Sequence, residues 1–374
     1  MRTNETSDTV ECHCGSAENN IHKYTAETAP WVDGRVETSV GEFPRVETAV
    51  SFADRLGSWK VRWGIGRSKY RVGPGLYGVG NPTAESPVLV SANYKMSFDR
   101  LRSELGGLDA WILVLDTKGV NVWCAAGKGT FGTDELVERV ETTGLDRVVS
   151  HRTLIAPQLG APGVAAHEVK KRSGFRVVYG PVRAGDLRAF LNNGMKAERG
   201  MRRVTFGLWD RVVQVPADLV GSSAKYLLAV ALAFLLLSGL GPGGYSAARI
   251  ATTGLPSVAL LVGAYLGGVV AAPLLLPWLP GRAFSAKGAW VGFAASSALV
   301  LYWLIYRGPF ESLITLVSWV LIIPAVTSFL AMNFTGSSTY TSLSGVKREM
   351  RVAVPLQIGA AAIGLGLWIT GLFV

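Results

Sequence analysis

The first place in this chain where residue type and spacing could do chemistry is a cysteine set among small residues. In Asn121-Val122-Trp123-Cys124-Ala125-Ala126-Gly127-Lys128, an asparagine three residues ahead of a cysteine reads as a helix N-cap. A short helix starting there puts the Cys124 sulfur in its first turn, where the dipole favours negative charge. Lys128 then lies one turn on along the same face. Such a thiol is a nucleophile or a metal ligand. On these residues alone, a buried cysteine packed as a small hydrophobe remains the alternative. A phosphate-binding loop is excluded. That cradle needs glycine five residues before its Gly-Lys pair and Ser or Thr directly after the lysine, and those places hold Val122 and Gly129.

The other two cysteines stand in Cys12-His13-Cys14, inside a polar, acidic stretch over residues 1–30 that is expected to be disordered. Three neighbouring soft ligands in such a tail are weak evidence for a metal site. Three thiols build neither a disulfide framework nor a four-cysteine iron–sulfur cluster, so any electron the protein uses comes from elsewhere. The tail lacks the basic and apolar regions of a secretory signal, which places the N-terminus in the cytosol.

The elements that must position Cys124 follow from periodicity. Val88-Leu89-Val90, Trp111–Leu115, Val148-Val149 through Ile155, and Phe175–Tyr179 read as buried strands. Thr133–Thr142, Val164–Lys171 and Asp186–Leu191 read as helices between and after them, a βαβ series of the doubly wound, Rossmann-like α/β class. Arg35-Val36-Glu37-Thr38 recurs as Arg45-Val46-Glu47-Thr48 across Gly41 and Pro44, which reads as a hairpin. The Gly/Pro-dense run Gly73–Pro82 reads as a loop. In an open α/β sheet, ligands sit outside the carboxyl ends of the strands, so the segments after Asp116, Ile155 and Tyr179 are where a site belongs.

Composition changes sharply beyond Lys225. Over 374 residues the net charge is +10, dividing as −5 over residues 1–50, +10 over 51–225 and +5 over 226–374. Only 17% of residues are charged and mean hydropathy is +0.30, too apolar for a soluble nucleic-acid binder. Five apolar stretches, Tyr226–Leu240, Leu255–Leu279, Gly288–Tyr306, Ser312–Met332 and Val352–Val374, approach the ~20 residues of a spanning helix. Lys225, Arg282, Lys287, Lys347, Arg348 and Arg351 fall on one side and only Arg249 and Arg307 on the other. By the positive-inside rule, the soluble part and the 333–351 loop are cytoplasmic and the C-terminus is on the outer side of the cytoplasmic membrane. With almost no ionisable residue in the spans, an anchor or assembly platform is favoured over a transporter. Gly267-Gly268, Gly359, Gly364 and Gly366 suit close helix packing; Pro273, Pro277 and Pro280 could break the second stretch into a cavity-lining segment, although Pro and Gly are ordinary in spanning helices. The chain thus divides into a tail (1–30), a cytoplasmic domain (31–200), a juxtamembrane segment (201–225) and an all-α membrane domain of five helices (226–374).

The run Asn121–Lys128 resembles the cap-helix motif of the HgcA family, the corrinoid proteins of the microbial mercury-methylation pair. The surrounding sequence is similar to the corrinoid-binding domain of the large subunit of the corrinoid iron–sulfur protein of the acetyl-CoA pathway. That similarity rests on Pro74-Gly75-Leu76-Tyr77 with Gly80-Asn81-Pro82, Ser91-Ala92-Asn93-Tyr94-Lys95, and His151 through Gly163. It covers residues 45–200 and the loop from Phe334 to Met350, and a five-span membrane end matches HgcA rather than the soluble relative.

What the resemblance implies is a corrinoid held by Asn121, Val122, Trp123, Cys124, Ala125, Ala126, Gly127 and Lys128, with the Cys124 thiolate as lower axial ligand of cobalt. Ala125, Ala126 and Gly127 would let the flat macrocycle approach, Trp123 would wall it or pack in the core, and Thr153, Gly160 and Gly163 would line a slot for the nucleotide tail or, in the glycines' case, only make tight turns. A thiolate opposite a methyl group favours its departure as a carbanion equivalent, which the electrophile Hg(II) needs. The implied partners are a ferredoxin-like iron–sulfur protein, HgcB, as electron donor, and a folate-type methyl donor. A methyl carrier for another acceptor in one-carbon and acetyl-CoA metabolism is the alternative. A membrane transporter or receptor with a ligand-sensing cytoplasmic domain is the alternative of another class.

Overall fold

The computed structural model describes residues 29–306, 312–334 and 343–374. The tail with Cys12, His13 and Cys14, and the segments containing Arg307, Glu311 and Ser337-Ser338, lie outside the described residues. The chain forms two compact units. One holds the chain up to Ser58 together with Gly66–Arg203, the other Trp59–Ile65 with Val204–Val374.

The first unit is built on a seven-stranded mixed sheet in the order β1-β2-β3-β5-β4-β6-β7. The strands are β1 (Val32–Thr38), β2 (Gly41–Val46), β3 (Gly75–Val79), β4 (Val88–Ala92), β5 (Ala110–Leu115), β6 (Thr153–Ala156) and β7 (Arg176–Tyr179). β5, β4, β6 and β7 run parallel to one another in the doubly wound manner, and β2 also pairs parallel with β3. β1 and β2 form the expected antiparallel hairpin, and β3 lies antiparallel against β5. The architecture is therefore a mixed α/β sheet with a parallel core, not a wholly parallel one.

Two sequence readings are corrected here. The run from Gly73 to Pro82 is not all loop, because Leu76 faces one core while Tyr77 and Val79 face the other, and that alternation of large residues makes β3 despite the flanking glycines. The segment from Val148 to Ile155 is not one strand. Its start is the end of a short helix, Leu145–Val148, and β6 begins at Thr153.

β4 and β5 are buried along their whole length, as expected of strands covered on both faces. Seven helices pack around the sheet: α1 (Phe52–Arg62), α2 (Lys95–Arg102), α3 (Val122–Lys128), α4 (Thr133–Thr142), α5 (Leu145–Val148), α6 (Ala166–Ser173) and α7 (Leu187–Asn192). Leu113, Leu115 and Ala156 face Leu136 and Val140 of α4 and Val169 of α6. On the opposite face, Ile112, Val114 and Ile155 meet Phe98 of α2, Phe190 of α7 and the buried Trp31. Between α1 and α2 lies a buried ionic cluster. Lys95 Nζ donates to Asp54 Oδ1 at 2.5 Å and Asp99 Oδ2 at 2.7 Å, and Arg102, with a side chain 0% exposed, donates to Asp54 Oδ2 and Asp99 Oδ1.

In the second unit, four helices are long and apolar enough to cross a membrane: Ala247–Leu275, Phe284–Tyr306, Leu313–Asn333 and Gly345–Thr370. A fifth, Ala224–Ser238, passes that test only together with Leu208–Leu219, from which it is bent by 56°. The expected count of five thus holds only if the bent pair is one span. Pro273 does not break its helix. The backbone widens to π-helical turns at Gly267–Ala271 and continues to Leu275. Gly268, Gly288 and Gly364 sit where an added Cβ would strike a neighbouring helix backbone, whereas Gly359 and Gly366 face open space and serve no such packing.

Candidate functional site

β4 feeds β5 on one side and the chain then crosses to β6 on the other, so the topological switch lies between β4 and β6. In such sheets the crevice outside the carboxyl ends of those strands receives the ligand. Asn93 directly follows β4, Asp116 follows β5, and Pro157-Gln158 follows β6, all at that edge.

Asn93 is completely buried and ties the strand ends together. Its Oδ1 accepts from Thr117 N (3.1 Å) and Gly119 N (2.9 Å), and its Nδ2 donates to Asp116 Oδ1 at 2.9 Å. Two backbone N–H groups converging on one atom fix that atom as the amide oxygen. Thr117 Oγ1 lies 2.8 Å from the same Oδ1 and 2.6 Å from Val120 O, and its single proton serves one of the two at a time. Glu135 on α4 accepts from Asp116 N at 2.7 Å and from Arg139. Lys118 sits in the left-handed region at φ 58°, its N–H and ammonium both donating to Asp116. Burial pushes the Asp116 carboxyl up, but the bonds and charge of Lys118, with the Asn93 amide, outweigh it and hold the group below the usual range. The loop from Asp116 to Val120 is thereby fixed at several points, and it delivers Asn121.

Asn121 is the N-cap of α3, as its spacing predicts. Its Oδ1 accepts from Cys124 N at 2.9 Å. Cys124 is half-buried. Ala125 and Ala126 point into the core between strands and α4. Their smallness lets α3 settle on the sheet and does not by itself open room for a ring. The outward face consists of Cys124, Gly127 and Lys128. A side chain at Gly127 would meet nothing within 4 Å, so the space one turn from the thiol is open. Val122 is partly buried against the core and Trp123 is half-buried.

The loop after β6 forms the other wall. α3 packs against the turn Gln158–Gly160. A Cβ on Gly160 would lie 2.4 Å from the Phe131 ring, and one on Gly163 would lie 2.1 Å from Phe131 O and 3.0 Å from Ala126 Cα. Both glycines are consumed by this close approach of backbone, so they hold α3 in place and have no free face for a slot. Thr153 opens β6 and pairs with Arg176 at the opposite, amino edge of the sheet. The structure does not bring it to Cys124. Two groups that residue patterns alone did not single out do belong here. Gln158 Oε1 and Thr130 Oγ1 are buried without a hydrogen-bond partner, one on the turn facing α3 and the other just beyond its end. Buried polar atoms left unpaired beside an open face are the mark expected of a bound polar group.

Among the described residues no cluster of three or more His, Cys, Asp or Glu could hold a metal ion. A separate depression of about 430 Å³, lined by Phe43, Leu76, Arg139, Thr143 and Arg147 among others, shares no residue with α3.

Residues 65–191 match the family described as CO dehydrogenase/acetyl-CoA synthase delta subunit. Similar curated proteins include the acetyl-CoA decarbonylase/synthase complex subunit gamma of Archaeoglobus fulgidus, 31% identical over 127 residues, covering 33% of this chain and 27% of the relative. That of Methanopyrus kandleri is 32% identical over 127 residues, with the same two shares. Subunit gamma 2 of Methanosarcina mazei is 33% identical over 125 residues, covering 32% of this chain and 26% of the relative. The chain spans about a quarter of the length of these relatives, and the family match contains both walls of the site.

Proposed function

We propose that the α/β unit binds a corrinoid and carries a methyl group on its cobalt, attached to a membrane through the apolar helices. The observation that carries the reading is the outward face of α3: a half-buried thiol on an N-capped first turn, open space one turn on, and the unpaired Gln158 and Thr130 oxygens beside it. Similarity over residues 65–191 to subunits of the acetyl-CoA machinery supports the same reading.

The corrinoid would supply a cobalt that takes up and gives away a methyl group. Cys124 would hold the cobalt through sulfur, a soft and strongly donating atom. Asn121 holds the Cys124 N–H and so the direction of the first turn. Gln158 and Thr130 would receive polar groups of the macrocycle's edge, and Gly127 leaves the face clear. Among the described residues Cys124 is the only thiol, so electrons must come from a partner, for which an iron–sulfur protein of the HgcB type is the fitting class.

For the acceptor, the comparisons favour a methyl carrier of one-carbon metabolism; a folate-type compound would be its methyl donor. A second reading, transfer to Hg(II), is favoured by Cys124 itself, because a thiolate would be a strongly electron-donating ligand and Hg(II) is an electrophile. Purification followed by a visible spectrum tests the shared reading: absence of a corrinoid band refutes it. Cys124→Ala should keep the corrinoid and lose the sulfur-ligated spectrum. Methylmercury formation that vanishes in Cys124→Ala and slows in Cys124→His selects Hg(II). Methyl transfer to another acceptor that is indifferent to both changes selects the carrier reading.

A further inference from the structure

α1 is amphipathic the wrong way round for a helix of a water-soluble surface. Phe52, Leu56, Trp59 and Trp63 recur at spacings of four, three and four, which places them on one stripe. Phe52 is 79% exposed and Trp59 56%. The opposite face is turned inward, with Val61 buried beside Asp54 and the small Gly57. Asp54 is locked by Lys95 and Arg102, and the Tyr70 ring lies against Gly57, where a Cβ would stand 2.8 Å from it. Those contacts prevent the helix from rolling to bury its aromatic stripe, so the stripe faces outward by construction. Arg55 and Lys60 flank it, and Arg62, Arg67, Lys69 and Arg71 follow before any further acid, Asp54 being consumed inside. An apolar stripe rimmed by cations, with tryptophan at its centre, has the composition of a helix lying in a lipid headgroup layer.

Position selects a membrane over an acidic protein surface. Trp59–Ile65 belongs to the same compact unit as the apolar helices. Arg62 Nη1 donates to Val213 O at 3.0 Å, shortly ahead of Ser222, where the first apolar helix begins. In that same segment Trp209 is 74% exposed. The C-terminal end of the stripe, at Trp59, thus belongs to the same unit as the segment that leads into the first apolar helix.

We propose that α1 is an interfacial helix lying in an anionic membrane leaflet, with Phe52, Leu56 and Trp59 at the acyl boundary and Arg55 and Lys60 against lipid phosphates. The inference rests on the apolar helices crossing that membrane, and the test keeps the two apart. In the full chain carrying Cys12→Ser, Cys14→Ser and Cys124→Ser, spin labels are placed singly through Phe52→Cys, Leu56→Cys and Trp59→Cys. His167→Cys on the exposed surface of the first unit serves as the aqueous reference and Leu301→Cys on the helix Phe284–Tyr306 as the lipid reference. In vesicles of phosphatidylcholine with phosphatidylglycerol, the ratio of collision with oxygen to collision with a water-soluble nickel chelate should be several-fold higher on the stripe than at His167 and lower than at Leu301. It should fall in vesicles of phosphatidylcholine alone. Stripe labels that behave like His167 overturn the proposal, as do labels shielded from both reagents, which would mean that protein covers α1. Water exposure at Leu301 overturns the membrane crossing itself.

Discussion

Thr117→Val tests whether the strand-end network holds the Cys124 helix. The change keeps side-chain volume and branching but removes the hydroxyl that bridges Asn93 Oδ1 and Val120 O. Asn93 Oδ1 is not orphaned, because it still accepts from Thr117 N and Gly119 N. Val120 O loses its side-chain donor, and a buried methyl replaces a polar group. One net hydrogen bond at about 1 kcal/mol, with partial desolvation of the freed carbonyl, gives about 1–2 kcal/mol. That corresponds to roughly a 5–30-fold rise in the open population of the 117–121 loop. Because Asn121 N-caps α3, the opening is felt at Cys124. The assay is native-state hydrogen exchange of the amides from Thr117 to Cys124, with the alkylation rate of Cys124 in a Cys12→Ser, Cys14→Ser background. Both should rise by that factor while α6 and β7 exchange as before. Unchanged exchange and unchanged alkylation would mean that α3 is held by its core contacts through Ala125 and Ala126 alone, and the positioning chain would be wrong.

Three further outcomes follow from the same geometry. Gly163→Ala puts a methyl against the backbone of Phe131 and Ala126, so it should cost about 2–3 kcal/mol and loosen any bound corrinoid; a variant as stable and as coloured as the parent would refute the packing role. Asp54 is pushed up by burial but drawn further down by Lys95, with help from Ser51 and Arg102, from 3.8 to about 2. A depressed carboxyl stabilises the fold above its unfolded pKa, so about 2 kcal/mol present above pH 4 should be lost as pH falls through about 2, read as falling exchange protection from Lys95 to Arg102; flat protection across that window sinks it. Lys347→Glu with Arg348→Glu, at two exposed cations of the last apolar helix, should slow cobalt reduction by an acidic iron–sulfur partner at low salt and leave a small chemical reductant unaffected; equal rates with both would make these residues topological only.

How much of this the residues announce depends on how local the cause is. The N-cap at Asn121 was legible because capping involves one side chain and an N–H three residues away. The strand runs from Val88 and Trp111 were legible because burial on both faces leaves an uninterrupted apolar stretch. β3 was hidden, since glycine and proline spoke for a loop while the pairing with β5 is fixed by residues more than thirty positions on. The surroundings of Ala125, Ala126, Gly160 and Gly163 are not legible in sequence for a related reason. Small residues mark close approach, but sequence does not say whether a ligand or another backbone approaches. Here two of the three small residues after Cys124 admit the sheet, and the two glycines after β6 admit Phe131 and α3. Only Gly127 remains open, and it shares its face with the thiol. The same logic exposes Asn93. An asparagine closing an apolar strand is an ordinary sight until the partners of its oxygen are seen, and those partners are what join the end of β4 to the helix that carries Cys124.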